Sequence, residues 1–270
     1  MIEPALADDA FLADVERAPV SAVHLWWLGQ SGFLVKHRGR YALLDPYLSD
    51  SLTRKYAGTD KPHVRMTRRV VDPALLGFVD VVTASHGHTD HLDPDTLRAV
   101  AAASPRVRLV CPAEIAELAR ERSGLEPAAL ADGERVRVLG FEIERVPAAH
   151  EELSGELAGF VLTLGAHRIY HAGDTVWHDE IVERVRPFEV TVALVPINGS
   201  APERRVAGNL DGAAAAQLAH AIGARVAVPM HYEMFEFNTA PPDAFVREAE
   251  RLGQNVAVLR AGERLTLPTP

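Results

Sequence analysis

The segment His86-Gly87-His88-Thr89-Asp90-His91 puts three imidazoles and a carboxylate within six positions. Such a set makes poor core filler, because burying polar groups without partners costs several kcal/mol. Neutral imidazole and carboxylate together suit zinc, manganese or iron, whereas an all-oxygen set would suit calcium or magnesium. His86, His88 and Asp90 alternate, so an extended backbone would project them to one side. Gly87 permits a bend, and His91 leads toward the next helix. The spacing differs from the helical H-E-x-x-H pattern, in which two histidines share a helix face. Four donors are too few for two metals, and three further candidates each follow an apolar run. They are His150 in Pro147-Ala148-Ala149-His150-Glu151, Asp174 in His171-Ala172-Gly173-Asp174-Thr175, and His231 in Pro229-Met230-His231-Tyr232.

The elements that must position these residues are readable from periodicity. Strands are expected at Val23–Leu28, Gly32–Lys36, Tyr41–Leu44, Val79–Ala84, Arg108–Cys111, Arg135–Leu139, Glu142–Val146, Gly159–Leu164, His167–His171, Val190–Val195, Val226–Pro229 and Val256–Leu259. Asp93 as N-cap with Pro94 at the first turn opens a helix over Asp95–Ala103. Pro112 opens another over Ala113–Arg122, closed by Gly124. Further helices are expected at Asp211–Ile222 and Pro242–Leu252, ended by Gly223 and Gly253. Ala10, Phe11, Ala13 and Val15 suggest a short amphipathic helix stopped by Pro19, an N-terminal helical extension over residues 1–20. No Pro/Ser-rich linker divides the chain, so residues 1–270 read as a single α/β (α+β) domain of mixed sheets flanked by helices. A faint internal echo relates Gly32-Phe33-Leu34-Val35, ending at Asp45, to Gly159-Phe160-Val161-Leu162, ending at Asp174.

Composition narrows the classes. The formal charge of −9 opposes a nucleic-acid footprint, which is usually basic. One cysteine, Cys111, allows neither an intrachain disulfide nor a thiolate cluster. The acidic first nineteen residues have no basic n-region and no long apolar run, so a cytoplasmic protein without a membrane span is expected.

In order along the chain, Asp45 (in Leu43-Leu44-Asp45-Pro46), the 86–91 cluster, His150, Asp174 and His231 resemble the pattern of the metallo-β-lactamase fold superfamily. The resemblance runs from about Trp26 to Pro268. It implies a four-layer αββα sandwich with two divalent ions per chain, Mn2+ or Zn2+, with Fe also compatible. By that resemblance His86, His88 and His150 would hold one ion, Asp90, His91 and His231 the other, and Asp174 would bridge them. Asp45 would sit behind the ligands, orienting them. Trp27-Leu28-Gly29-Gln30-Ser31-Gly32-Phe33, Asp45-Pro46-Tyr47-Leu48-Ser49-Asp50-Ser51, Pro196-Ile197-Asn198-Gly199, Asn209-Leu210-Asp211 and His231-Tyr232-Glu233-Met234-Phe235 resemble the L-ascorbate-6-phosphate lactonase branch. That branch is similar to manganese-dependent hydrolases of a sugar-derived lactone.

Such a centre hydrolyses by sharing a hydroxide between two cations, which attacks an acyl or phosphoryl carbon or phosphorus. Asp90 is the expected catalytic residue, orienting the nucleophile and passing a proton to the leaving group. Gly29-Gln30-Ser31-Gly32 is not G-x-S-x-G, so a serine nucleophile is not expected. Arg54, Lys55, Lys61, Arg65, Arg68 and Arg69 face one acid, Asp60, within their window. This island is either a solvated loop or a cover that captures a phosphate or carboxylate. Arg204 and Arg205 form a second such pair. Arg54, Lys55, Arg65, Asn198, Arg204 and Tyr232 are therefore the expected substrate contacts, with Trp177 and His178 as further neighbours of ligands. The expected activity is hydrolysis of a small anionic sugar lactone such as L-ascorbate 6-phosphate. The alternatives are a cyclic or linear phosphodiesterase and a non-catalytic binding protein. A ribonuclease is disfavoured by the acidity. A diiron flavoprotein is disfavoured because His88 stands where that group carries glutamate. Neither nucleic acid nor membrane is an expected partner, and a homo-oligomer is compatible with the sequence.

Overall fold

Short polar turns between apolar runs force the N-terminal strands into a meander. β1 (Val23–Gly29) and β2 (Gly32–His37) are joined by Gln30-Ser31, and β2 and β3 (Arg40–Leu44) by Arg38-Gly39. Arg38 and Gly39 both have positive φ (50° and 73°), as a tight primed hairpin turn requires. The computed structural model describes residues 1–150 and 153–267. Glu151 and Pro268, at the borders of segments named above, lie outside them.

The chain then alternates strand and helix: α2 (Ser51–Tyr56), β4 (Val81–Thr83), α3 (Pro94–Ala103), β5 (Arg108–Pro112), α4 (Ala116–Ser123) and β6 (Ala128–Leu130). An antiparallel run follows, of β7 (Arg135–Val138), β8 (Phe141–Ala149), β9 (Leu153–Leu164) and β10 (His167–His171). Alternation resumes with α5 (Asp179–Val185), β11 (Val192–Pro196), α6 (Gly212–Ala221), β12 (Val226–Met230), α7 (Asp243–Leu252) and β13 (Arg264–Leu267). One sheet has the order β13-β1-β2-β3-β4-β5-β6, the other β12-β11-β10-β9-β8-β7. Both are mixed: β3 to β6 and β10 to β12 pair in parallel, the remaining neighbours antiparallel. Helices flank the two sheets, whose inner faces bury an apolar core running from Phe11 and Trp26 to Leu267. The α/β class with two mixed sheets and flanking helices is the architecture the sequence implied.

Helix ends follow the expected chemistry. Asp93 accepts from the Thr96 amide at 3.2 Å and Asp211 from the Ala214 amide at 2.8 Å. Gly124 and Gly253 close α4 and α7 in the left-handed conformation. The first helix, α1 (Asp8–Arg17), buries Phe11 and Val15. Its C-terminal carbonyls find a buried donor in β2, where Lys36 Nζ reaches Val15 O at 2.7 Å and Ala18 O at 2.8 Å.

Several expectations need correction. Val256–Leu259 is not a strand, for only Val256 makes a single bridge, to Ala227. The chain there crosses from one sheet to the other, and the last strand is β13, beside β1. The runs at Val79–Ala84 and Glu142–Val146 shrink to Val81–Thr83 and lengthen to Phe141–Ala149, and β9 starts earlier, at Leu153. Strand β6 and helices α2 and α5 were not foreseen. Among the described residues no helix is long and apolar enough to cross a membrane.

Candidate metal centre

Parallel pairing brings the chemistry to one edge. Asp45 follows β3 and His86 follows β4, while Asp174 and His231 follow β10 and β12. His150 directly follows β8. Ligand loops in open α/β sheets collect at the carboxyl ends of strands for this reason.

The side chains meet there in two sets. His86, His88, His150 and Asp174 each offer a ligand atom, all within 4.8 Å of one another, as do Asp90, His91 and His231. Asp174 lies between the sets. Its Oδ1 is 3.2 Å from His91 Nε2 and its Oδ2 is 3.4 Å from His231 Nε2. Three buried atoms at this junction, His91 Nε2, His150 Nε2 and Asp174 Oδ1, have no hydrogen-bond partner. The opposite nitrogens of the two rings are held: His91 Nδ1 lies 2.8 Å from Asp45 Oδ2, and His150 Nδ1 lies 3.0 Å from the Gly208 carbonyl. An imidazole fixed at one nitrogen and bare at the other is prepared to bind a cation. The donors, imidazole and carboxylate, suit divalent ions of the zinc, manganese and iron kind.

The surroundings are built to hold this arrangement. Asp45, fully buried, also accepts from Thr83 Oγ1 and the Ser85 amide, both at 3.1 Å, and from Ser85 Oγ. Gly173 has φ +63°, and a Cβ there would lie 2.5 Å from Ala158 O and 2.9 Å from Ser85 Cβ. Only glycine lets the Asp174 loop pass this close to the loop carrying His86. Arg122 of α4 donates to the carbonyls of Gly87 at 2.7 Å and Leu92 at 3.3 Å, clamping both ends of the histidine-rich segment. Gln30, fully buried, donates from Nε2 to Asp90 Oδ2 at 2.7 Å. Sequence reasoning gave Gln30 no role, since a polar residue in a two-residue turn looks like ordinary loop.

Electrostatics balance within the cluster. Burial opposes protonation of His91, yet the Asp174 and Asp90 carboxylates outweigh it and raise its pKa well above the usual value. Burial likewise opposes protonation of His231, which Asp174 and Asp90 nevertheless push up to about 9. Asp90 and Asp174 are held well below the carboxylate range by the two histidines, against the opposing effect of burial. Burial keeps His86 and His88 neutral by lowering their pKa. The two carboxylates thus favour a proton on His91 and one on His231, standing where cationic charge is wanted. Both must leave when a cation binds, because only neutral imidazole ligates. Adding Mn2+ or Zn2+ to metal-stripped protein at pH 7 is expected to release roughly two protons per chain. Calorimetry in buffers of different ionisation enthalpy reads this number, and no buffer dependence would contradict the assignment of His91 and His231.

Above the cluster lies a pocket of about 420 Å³, floored by His88, Asp90, His150, Asp174 and His231. Of the expected substrate contacts only Lys55 lines it. Arg54 pairs with Asp95, and Arg65 pairs with Asp50 at 2.7 Å over the Tyr47 ring. Asn198 bonds Asn238 and Asn209, each at 3.0 Å, and Arg204 spans the Asn198 and Thr239 carbonyls. Tyr232 is buried, stacked on Trp27 at 4.3 Å with its hydroxyl on the Leu259 carbonyl. Trp177 and His178 do not line the pocket either. The cations that do, besides Lys55, are Arg122 and Arg205, and the wall opposite is aromatic, with Tyr56, His63, Phe235 and Phe237.

Comparison with known proteins agrees with this construction. The profile of the Beta-lactamase superfamily domain matches residues 40–232. A UPF0173 metal-dependent hydrolase of Methanopyrus kandleri is 31% identical over 246 residues, covering 88% of this chain and 96% of its own. One from Aeropyrum pernix is 29% identical, covering 88% of this chain and 95% of its own. The solved structure of a metallo hydrolase from Ignicoccus hospitalis superposes with a TM-score of 0.69 at 25% identity, over 92% of this chain and 99% of that one. None of these three names a lactone. With strand-end donors, two mixed sheets and full-length likeness together, the chain belongs to the UPF0173 metal-dependent hydrolases of the metallo-β-lactamase fold superfamily.

Proposed function

We propose that the chain is a dinuclear hydrolase of small anionic esters and lactones, with a sugar-derived lactone such as L-ascorbate 6-phosphate as the favoured substrate. The observation that carries this reading is Asp174, whose two oxygens face His91 and His231 while it also belongs to the set of His86, His88 and His150. A carboxylate shared between two donor sets suits a pair of cations. His86, His88 and His150 would hold one, Asp90, His91 and His231 the other, and Asp174 both. Bound there, divalent ions supply a Lewis acid and bring the pKa of water down to about 7.

The chain's own groups do the rest. Neither serine nor cysteine lines the pocket among the described residues, and the proposed nucleophile is water. Asp90, with 17% of its side chain exposed, takes the proton from that water and returns it to the departing alkoxide. Lys55, Arg122 and Arg205 bring positive charge into the pocket of a chain whose net charge is −9, which favours an anionic substrate. The aromatic wall accommodates the face of a ring.

Parallel assays of ascorbate-6-phosphate-like lactones, homoserine lactones and bis-p-nitrophenyl phosphate test the reading. Turnover is expected on the anionic lactone, and activity confined to the diester would replace the lactonase reading with a phosphodiesterase. Lys55→Ala is expected to raise KM for the anionic lactone about tenfold, with neutral esters unaffected. Equal effects on both substrates would remove Lys55 from anion capture.

A further inference from the structure

Gln30 occupies a constrained turn beside the centre. Its backbone has φ +50°, a conformation that L side chains rarely adopt. Two bonds hold it there, because the Gln30 carbonyl accepts from Trp27 Nε1 at 2.9 Å and from the His231 amide at 3.0 Å. The strained turn is therefore tied to the loop that presents His231. Strain of this sort persists where the surroundings over-determine it, and it clusters at functional sites.

The side chain points into the centre with no exposure to solvent. Nε2 donates to Asp90 Oδ2 at 2.7 Å, and it lies 3.0 Å from His231 Nε2 and 3.4 Å from His231 Nδ1. Oε1 is buried without a hydrogen-bond partner. A carboxylate only accepts, so the amide nitrogen must be the end that faces Asp90. The same Asp90 oxygen lies 3.6 Å from His231 Nε2 and 3.7 Å from His91 Nε2. One lone pair of Oδ2 is thus spent on Gln30, which pins the oxygen on the side of the two histidines. Oδ1 is then the oxygen left to exchange a proton.

We infer that Gln30 is a positioning residue for the hydrolysis: its amide turns one oxygen of Asp90 toward His91 and His231, which would hold a cation with it, and leaves the other to handle the proton. This rests on the function proposed above.

The test compares wild type with Gln30→Met, which keeps length and loses the donor, and with Gln30→Glu, which puts an acceptor against Asp90. Ions per chain, the visible d–d band of the cobalt-loaded protein, kcat, KM and the melting temperature of metal-free protein are measured. The ion count and melting temperature are expected to hold, while the cobalt band shifts in both variants. In Gln30→Met kcat is expected to fall about 100-fold with KM within about threefold, and Gln30→Glu should lose more. A cobalt band and kcat both unchanged would overturn the assignment. So would loss of an ion or of folding in both variants, since Gln30 would then belong to the scaffold. A wild type that loads cobalt but hydrolyses no substrate in the panel would defeat the proposed function, and the cobalt band would still decide Gln30.

Discussion

Asp90→Asn should lower kcat by about 10³-fold, equivalent to about 4 kcal/mol of lost transition-state stabilisation, and leave the fold intact. Asparagine matches the carboxylate in shape but carries no charge and cannot take a proton. Asp90 belongs to the second donor set and also lines the open pocket, which places it for both tasks. Its side chain is outside the apolar core, which is why the fold should survive. Circular dichroism and steady-state kinetics on the same preparation check this. Turnover equal to wild type would remove the proton-transfer role.

Asp174→Ala should have an equally large effect by a different route. Asp174 belongs to the first donor set and faces His91 and His231 of the second, and its removal also leaves those two rings without the carboxylate that most raises their pKa. Breaking a buried charge cluster by removing one partner commonly costs about 3–5 kcal/mol. Bound ions should fall from two per chain to one or none, with kcat down by more than about 10³-fold. Elemental analysis separates this variant from Asp90→Asn, in which loss of turnover should exceed loss of metal. Two ions retained in Asp174→Ala would contradict its place between the sets.

The candidate centre was legible because several of its donors sit at or just after strand ends, where sequence periodicity and motif coincide. His150, Asp174 and His231 each follow an apolar run; parallel pairing through β11 brings Asp174 and His231 to one edge, and two antiparallel steps through β9 bring the end of β8, with His150, to the same edge. Substrate residues were not legible in the same way. The basic island showed one acid within its own window, but its neutralising partners lie elsewhere: Asp95 for Arg54, Asp50 for Arg65, Glu3 and Asp8 for Arg68, and Asp72 for Arg69. Asp72 and Asp50 stand just outside the window counted, while Asp95, Glu3 and Asp8 come from distant segments that folding brings near. Lys55 alone of that island's expected contacts reaches the pocket, and Arg122 enters it from a helix whose pattern suggested only packing.

The missed last strand has a similar cause. Val256-Ala257-Val258-Leu259 is apolar, yet only Leu259 is buried, Val258 is exposed, and the backbone pairs only briefly, with Ala227. A turn at Gly262, with φ +80°, then sends Arg264–Leu267 to β1 in the other sheet. An apolar run does not by itself make a strand, and pairing depends on where the turn sends the chain. Gln30 was invisible for a related reason, since its partner Asp90 lies sixty positions away.

The central claim is that seven side chains hold two ions and that hydrolysis depends on them. Metal analysis of the purified chain, followed by chelation and reconstitution with Mn2+ or Zn2+ under a lactone assay, tests it most directly. About two ions per chain are expected, with activity lost on chelation and restored on reloading. Metal near zero that neither cation restores would contradict the account.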